Sequence, residues 1–564
     1  MKKKMVGIFI CMLFLGISNL SVSGTLSEQV IYGDLIFLDW IEQKLIASDG
    51  ADDDVFGCCV SIDGDYAIVG APHDDNNGEN SGSAYILKNN GTSWIEEQKL
   101  TASDGAGEDL FGYYVSISGD YAIVGAPYDD DKGEMSGSAY IFKNTGSSWI
   151  EEQKFTASDG AESDLFGFVS INGEYAIIGA PYDDDMGSNT GSVYIYKNDG
   201  SSWIEDQKLT TTDSDIFFGF GVTASINEKY AIIGAPYADD LGYNSGAVYI
   251  FKNNGGSWTE DQKLTASDGD ADNWFGRCVS MDEDYIAIGA PKDDDNGENS
   301  GSVYIFKNNG QSWIEDQKLT TLDSASEDLF GSCVSIDGNN IIIGAENDDD
   351  NEEDSGSAYI FEYDGINWIE VTKLNASDGA NEDYFGESVS IDSKYAVVGV
   401  GLDDNTNGVD AGSVYIFKRP NQPPNKPSIT GPNSGKPGEE LCWSFHSCDP
   451  DGDDINYFID WGDGTNDVTD CVESCTNLTV CHTFSERLTY TIKVRASDCF
   501  PDGSVSDWSY LEVSIPRSRN RLLFNPNLFR FFQYFQIFFK ELGKINIMND
   551  FKIIYGVLKL EKMA

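Results

Sequence analysis

A Phe-Gly pair returns along this chain with its glycine at Gly57, Gly112, Gly167, Gly221, Gly276, Gly331 and Gly386, a period of 54 or 55 residues. A fixed period of that length makes each repeat one supersecondary unit that buries its apolar faces only against its neighbours. A second marker, Gly-Ala-Pro, starts at Gly70, Gly125, Gly179, Gly234 and Gly289. It decays to Gly344-Ala345-Glu346 and then Gly399-Val400-Gly401. Trp40, Trp94, Trp149, Trp203, Trp258, Trp313 and Trp368 keep the same spacing. In the fourth repeat, Phe220-Gly221 is taken over Phe218-Gly219, because it preserves the step to the next marker.

Each repeat holds four short segments rich in Val, Ile, Tyr and Phe, divided by Gly, Asn and Asp turns; these read as four β-strands. No segment between residues 35 and 418 sustains a helical period. Seven four-stranded units predict an all-β, seven-bladed propeller over 35–418. The ends of the repeat region fit a closed ring. It opens on a lone tryptophan strand, Asp39 to Leu45, and stops at Gly412 to Phe417 without one. The N-terminal strand is therefore expected to complete blade seven and cover two open edges.

The Phe-Gly and Gly-Ala-Pro markers resemble the FG-GAP repeat, which builds the seven-bladed propeller of integrin α chains. The resemblance covers all seven repeats, and it implies an extracellular protein whose loop face meets a ligand. Integrin repeats often carry a calcium loop between the two markers. Here that space is a tight turn such as Ser118-Gly119-Asp120-Tyr121, so those sites do not carry over.

The aspartates lie instead after the Gly-Ala-Pro position: Asp74-Asp75, Asp129-Asp130-Asp131, Asp183-Asp184-Asp185, Asp239-Asp240, Asp293-Asp294-Asp295, Asp348-Asp349-Asp350 and Asp403-Asp404. A second acidic loop precedes each Phe-Gly, as in Ser103-Asp104-Gly105 with Glu108 and Asp109. Strand alternation puts both loops on one face of the disk, which is therefore anionic. Oxygen-only loops with a turn glycine suit calcium, and a divalent ion relieves the repulsion between clustered carboxylates. The spacing is not that of an EF-hand. The plainer reading is that Asp and Gly make soluble turns.

Cys59, Cys278 and Cys333 share one position after their Phe-Gly pairs and read as small buried thiols, with a Cys278–Cys333 bond open. The repeated tryptophans read as packing rather than carbohydrate stacking, and His73 as a lone surface histidine. With only three histidines and no HExxH, G-x-S-x-G or phosphate loop, the chain lacks the usual catalytic constellations. Near-identical repeats also offer no unique carboxylate pair for glycoside hydrolysis.

Outside the repeats, Lys2, Lys3 and Lys4, the apolar run Val6 to Leu20 and the small residues to Gly24 read as a signal peptide over 1–24. A net charge of −59 excludes nucleic acid as a partner. It fits a soluble, cation-binding or salt-adapted surface. Residues 419–427 form a proline-rich linker. Residues 428–516 carry Asp449-Pro450-Asp451-Gly452-Asp453, Asp460-Trp461-Gly462-Asp463-Gly464 and His482-Thr483-Phe484. These motifs resemble the polycystic-kidney-disease (PKD) domain, an immunoglobulin-like β-sandwich whose aspartate loop, with Asp449, Asp451 and Asp453, is a candidate for calcium. Cys442, Cys448, Cys471, Cys475, Cys481 and Cys499 are disulfide candidates; Cys471, Cys475, Cys481 and His482 also imitate a zinc site. The tail, 517–564, carries nine Lys/Arg against three Asp/Glu and an aromatic run, Leu528 to Phe539. It suits a membrane interface, sorting machinery or packing on a neighbouring domain. Asn90, Asn375 and Asn477 begin glycosylation sequons.

The expected function is extracellular or cell-surface adhesion or ligand binding, with an extracellular protein or glycan as partner and calcium as the candidate cofactor. The alternatives are a structural coat component and, less favoured, a secreted hydrolase.

Overall fold

The computed structural model describes residues 40–185, 187–211, 219–499 and 504–516. The expected leader at 1–24 and tail at 517–564 lie outside the described residues. Two units divide at Pro420 and Asn421.

The first unit is seven four-stranded antiparallel sheets, the blades of a propeller. In blade two the strands, here A to D from the centre outward, are Tyr114–Ser118, Tyr121–Ala126, Ser138–Asn144 and Trp149–Phe155. Strands B and C are buried along nearly their whole length, since neighbouring blades cover both faces. Strand D alternates buried and exposed residues, as an outer strand must. Blade seven is completed by Ile41–Leu45, which pairs antiparallel with Ser413–Lys418, Ile41 opposite Lys418 and Leu45 opposite Val414.

The two glycine markers have one steric cause. Gly125 of blade two faces Gly167 of blade three so closely that a Cβ on Gly125 would lie 1.9 Å from the Gly167 carbonyl oxygen. The same 1.9 Å approach recurs between Gly399 and Gly57, where the ring closes. Only glycine permits blades to meet backbone to backbone.

The inner A strands of neighbouring blades are stitched by side chains. Val60 and Ile62 N–H donate to the Ser388 and Ser390 hydroxyls at 2.9 and 3.1 Å across the closing junction. Ile117 N–H donates to Ser61 in the same way. Cys59, Cys278 and Cys333 are half-buried and put a sulfur where blade seven has the Ser388 hydroxyl.

On the outer side, six of the tryptophans stand edge-on to a tyrosine of the preceding blade, as Trp149 does to Tyr66 at 5.5 Å, whereas Trp40 follows a blade with Asn340 at that position. A glutamine clamps the Trp149 backbone: Trp149 N–H donates to Gln98 Oε1 at 2.8 Å, and Gln98 Nε2 donates back to the Trp149 carbonyl at 2.7 Å. The tryptophans therefore hold blades together. At the junction of blades six and seven Thr372 stands where the other blades have that glutamine.

The second unit has a three-stranded sheet (Ser428–Thr430, Glu440–His446, Asn477–Thr483) and a four-stranded sheet (Asn466–Val468, Ile455–Asp460, Thr489–Asp498, Ser509–Ser514). They share one core that includes Trp443, Phe445, Tyr457, Ile459, Trp461 and Val494. All six candidate cysteines are joined, as Cys442–Cys481, Cys448–Cys475 and Cys471–Cys499. The zinc alternative is thereby overturned, because no thiolate remains there to bind metal. His482 instead stacks on Trp461 at 4.6 Å and meets Asp463 at 2.8 Å. Among the sequons, Asn90 and Asn477 are exposed, whereas the Asn375 amide donates to Ser357 Oγ at 2.7 Å.

Candidate functional site

At six of the seven junctions, among the described residues, the B–C loop of one blade bonds to the D–A loop entering the next, as when Phe111 N–H donates to the Ser81 carbonyl at 3.1 Å. These loops carry the acidic runs, and in each blade they close around a lysine of strand D. Lys154 Nζ lies 2.8 Å from Asp104, 2.9 Å from Asp129 and 2.6 Å from Asp131. Tyr140 Oη donates to Asp104 and Asp129 at 2.9 and 3.0 Å. Burial opposes the lysine's charge, yet the three carboxylates outweigh it and hold the ammonium above its ordinary pKa.

The arrangement repeats with small changes. Lys208 meets Asp159, Asp183 and Asp185; Lys318 meets Asp268, Asp293 and Asp295; Lys373 meets Asp323, Asp348 and Asp350. Lys99 meets Asp49 and Asp74, with Asn76 in the third place; Lys44 meets Asp378 and Asp403, with Asn405 there. In blade four Ala238 replaces the first aspartate, and Lys263 pairs with Asp240. The middle aspartates cap their own loops. Asp75, Asp130, Asp239, Asp294, Asp349 and Asp404 accept backbone N–H bonds from five or six residues on. Asp184 occupies the same position in its run. Asp159, Asp183 and Asp185 bring one carboxylate oxygen each within 4.8 Å of one another, a spacing suited to a metal. The Lys208 ammonium lies 2.6 to 2.8 Å from all three.

The lysines that fill these clusters stand at one position of strand D in all seven repeats. Their recurrence in every repeat, in step with the aspartates, was the signal for this pairing.

The axial end of the loop face differs in kind. The residue between Phe-Gly and the inner strand is where the repeats diverge: Cys58, Tyr113, Val222, Arg277, Ser332 and Glu387, while blade three lacks it and Phe168 pairs directly with Gly179. The position that carries His73 in blade one carries Tyr128, Tyr182, Tyr237, Lys292, Asn347 and Leu402 in the others. Several of these act on one another across blades. Burial and Glu346 push Glu387 up to about 7, against the pull of Arg277. Arg277 in turn feels Tyr114, Glu346 and Tyr237. Tyr113 lies 6.4 Å from Tyr128, and Lys292 sits 3.7 Å over the Trp274 ring. The mouth thus combines aromatic faces with one guanidinium and two carboxylates.

A third cluster lies in the second unit. Asp449 and Asp498 are buried, and Asp449 Oδ2 and Asp498 Oδ1 have no hydrogen-bond partner. Asp449 Oδ1 accepts from the N–H groups of Asp451 and Asp453. Asp451, also buried, accepts from Gln422 N–H. Burial first, and then the neighbouring Asp498, raise Asp449 to about 7. Asp498 was missed in the sequence because it lies 49 residues beyond the Asp449 loop, at the end of strand Thr489–Asp498, with no local motif around it.

These features define a repeat propeller built from Phe-Gly and Gly-Ala-Pro units. The family model described as "FG-GAP repeat" matches residues 40–87, 94–142, 149–196, 203–251, 258–306, 313–361 and 368–417, and the chain belongs to that family. Among curated proteins it is similar to integrin alpha-7 of Rattus norvegicus, 28% identical over 177 residues, which are 28% of this chain and 14% of that protein. Integrin alpha-7 of Homo sapiens is 29% identical over 147 residues, 23% of this chain and 11% of that protein. The chain spans about a seventh or less of the length of these relatives. Among solved structures, the PKD domain of an M14-like peptidase from Thermoplasmatales archaeon SCGC AB-540-F20 is 35% identical, with TM-score 0.17, over 17% of this chain and all of that one. The PKD domain of human VPS10 domain-containing receptor SorCS2 is 20% identical, with TM-score 0.14, over 18% of this chain and 80% of that one.

Proposed function

We propose that the chain is an extracellular binding or adhesion protein whose ligand docks at the axial mouth of the propeller's loop face. The observation that carries this reading is where the repeats differ. The Phe-Gly, the strand-D lysine and the strand-C tyrosine recur in every blade, while the residue inserted after Phe-Gly differs in every blade that has it and the His73 position ranges over His, Tyr, Lys, Asn and Leu. Structural need would keep equivalent positions alike; a single asymmetric ligand would not. Family membership and the three disulfides support an extracellular setting. The same divergence weighs against a coat component without a discrete ligand.

Calcium belongs, in this reading, to the second unit. Asp449 and Asp498 offer buried carboxylate oxygens without partners, and a hard divalent ion would complete them, with Asp451 in the same loop as Asp449. In the propeller the lysine ammonium already provides the charge that such an ion would bring.

The test is a binding screen of the full chain against extracellular-matrix proteins and glycans, repeated with Arg277→Gln plus Glu387→Gln. Any ligand found should lose at least about tenfold in affinity with the axial variant, yet none with Asp120→Asn in an A–B turn. Equal binding by the axial variant overturns the proposal. Calorimetric titration with calcium, with and without Asp498→Asn, tests the metal separately.

A further inference from the structure

Cys278 and Cys333 occupy the same position in adjacent blades, one residue before strands Val279–Asp282 and Val334–Asp337. Their sulfurs are 3.9 Å apart. Each sulfur also accepts the next blade's N–H, from Val334 to Cys278 at 3.3 Å and from Val389 to Cys333 at 3.4 Å. Packing alone does not call for cysteine here. Thr223 in blade four and Ser388 in blade seven make the same bridge with a hydroxyl. Cys59 makes it with sulfur, but the next blade answers with Tyr114. Blades five and six are the one adjacent pair in which both carry a thiol at this position.

We infer that Cys278 and Cys333 are a modification site: they close to an interblade disulfide in an oxidising compartment, clasping blades five and six at the inner wall. A disulfide needs sulfurs about 2.05 Å apart, so the thiols must approach by roughly 2 Å, within reach of side-chain rotation on strands already side by side. The oxidant is a disulfide, of glutathione or of a thiol–disulfide oxidoreductase. The Cys278 thiolate attacks one of its sulfurs, forms a mixed disulfide and expels one thiolate. Cys333 then loses its proton, attacks Cys278 Sγ and expels the second. Two protein thiols become one disulfide, and one oxidant disulfide becomes two thiols. The roles follow from local environment. Cys333's hydrogen bond, helped by Arg277, holds the Cys278 thiol below its ordinary pKa, whereas burial pushes Cys58 and Cys59 up. Because Arg277 directly precedes Cys278, the clasp also fixes the root of the axial arginine.

The experiment oxidises the full chain in glutathione buffer until the three second-unit disulfides have formed, which is the internal control. The protein is then denatured, alkylated and mapped by mass spectrometry. The expected result is alkylation at Cys58 and Cys59, and a linked peptide pair containing Cys278 and Cys333. Cys333→Ser keeps the serine-type bridge seen in blade seven. It should fold, leave Cys278 alkylatable and melt about 3–8 °C below the oxidised parent. If the second-unit bonds form while Cys278 and Cys333 both take the alkylating agent, the inference is overturned. It is equally overturned if the linked pair forms but oxidised parent and Cys333→Ser melt alike, since the bond would then clasp nothing.

Discussion

At the scale of single residues, the molecule contains its own control. Asp109 is buried beside Asp129, and its pKa rises to about 6 from burial, with Asp129 adding to the effect and the Ala106 N–H opposing it. Asp54, Asp164 and Asp328 repeat this in their blades. In blade five the position is Asn273, whose amide donates to Asp293 at 3.2 Å. A carboxyl raised in the folded state contributes stability that is full below its unfolded value of 3.8 and is lost as pH climbs through about 6. Asp109→Asn should therefore melt like the parent near pH 4 and above it at pH 7.5, by about 1 kcal/mol. That is less than the roughly 3 kcal/mol of an unscreened two-unit shift, because the loop is partly solvated. Melting curves across pH 4 to 8 check it, and a variant less stable at pH 7.5 refutes it. The aspartates were visible in the sequence; which of them have a raised pKa was not, since that depends on burial in the folded loops and then on a neighbour some twenty residues away in the chain.

At the scale of elements, two devices repeat, and each has a revealing exception. The lysine cluster is the first. Lys208→Ala leaves the buried Asp183 beside two further carboxylates without a counter-charge, and should cost about 3 kcal/mol. The emptied centre then has the oxygen donors of a calcium site. Millimolar calcium should restore more of the lost melting temperature than sodium chloride at equal ionic strength; equal effects would show that the carboxylates act only as diffuse charge. The glutamine clamp is the second device, interrupted by Thr372. Thr372→Gln should supply the missing pair of bonds to the Trp40 backbone and stabilise the junction of blades six and seven by about 1 kcal/mol. Gln98→Ala should cost about as much, read in denaturant titrations. Strand positions and tryptophan roles were legible because period and composition are local signals. The lysine at the heart of an acidic cluster shows only through its recurrence, because its partners converge from separate loops, about 25 and 50 residues earlier for Lys154 and at the far end of the repeats for Lys44.

At the scale of the whole molecule, closure governs everything else. The offset between a leading tryptophan strand and a final blade lacking one was readable from the order of pieces alone, and Ile41–Leu45 does pair with Ser413–Lys418. That strand also carries Gln43, which clamps Trp94, and Lys44, which pairs with Asp378 and Asp403. One five-residue strand therefore supplies a sheet edge, a blade-to-blade clamp and the cation of an acidic loop. Removing residues 1–46 takes all three at once. It leaves Asp403 buried without Lys44 and Ser413–Lys418 as a bare edge strand, a template for pairing with another copy. The truncated chain should melt at least about 10 °C below the parent and self-associate in light scattering. A synthetic peptide spanning residues 39–46, added in excess, should recover part of the melting temperature and suppress association, because it restores edge, clamp and cation together. Carrying Lys44→Ala in that peptide should still suppress association but recover less stability, which separates edge-covering from the charge it brings. A truncated chain that stays monomeric and melts like the parent would mean that the ring is held by its inner stitching, and that the N-terminal strand merely decorates it.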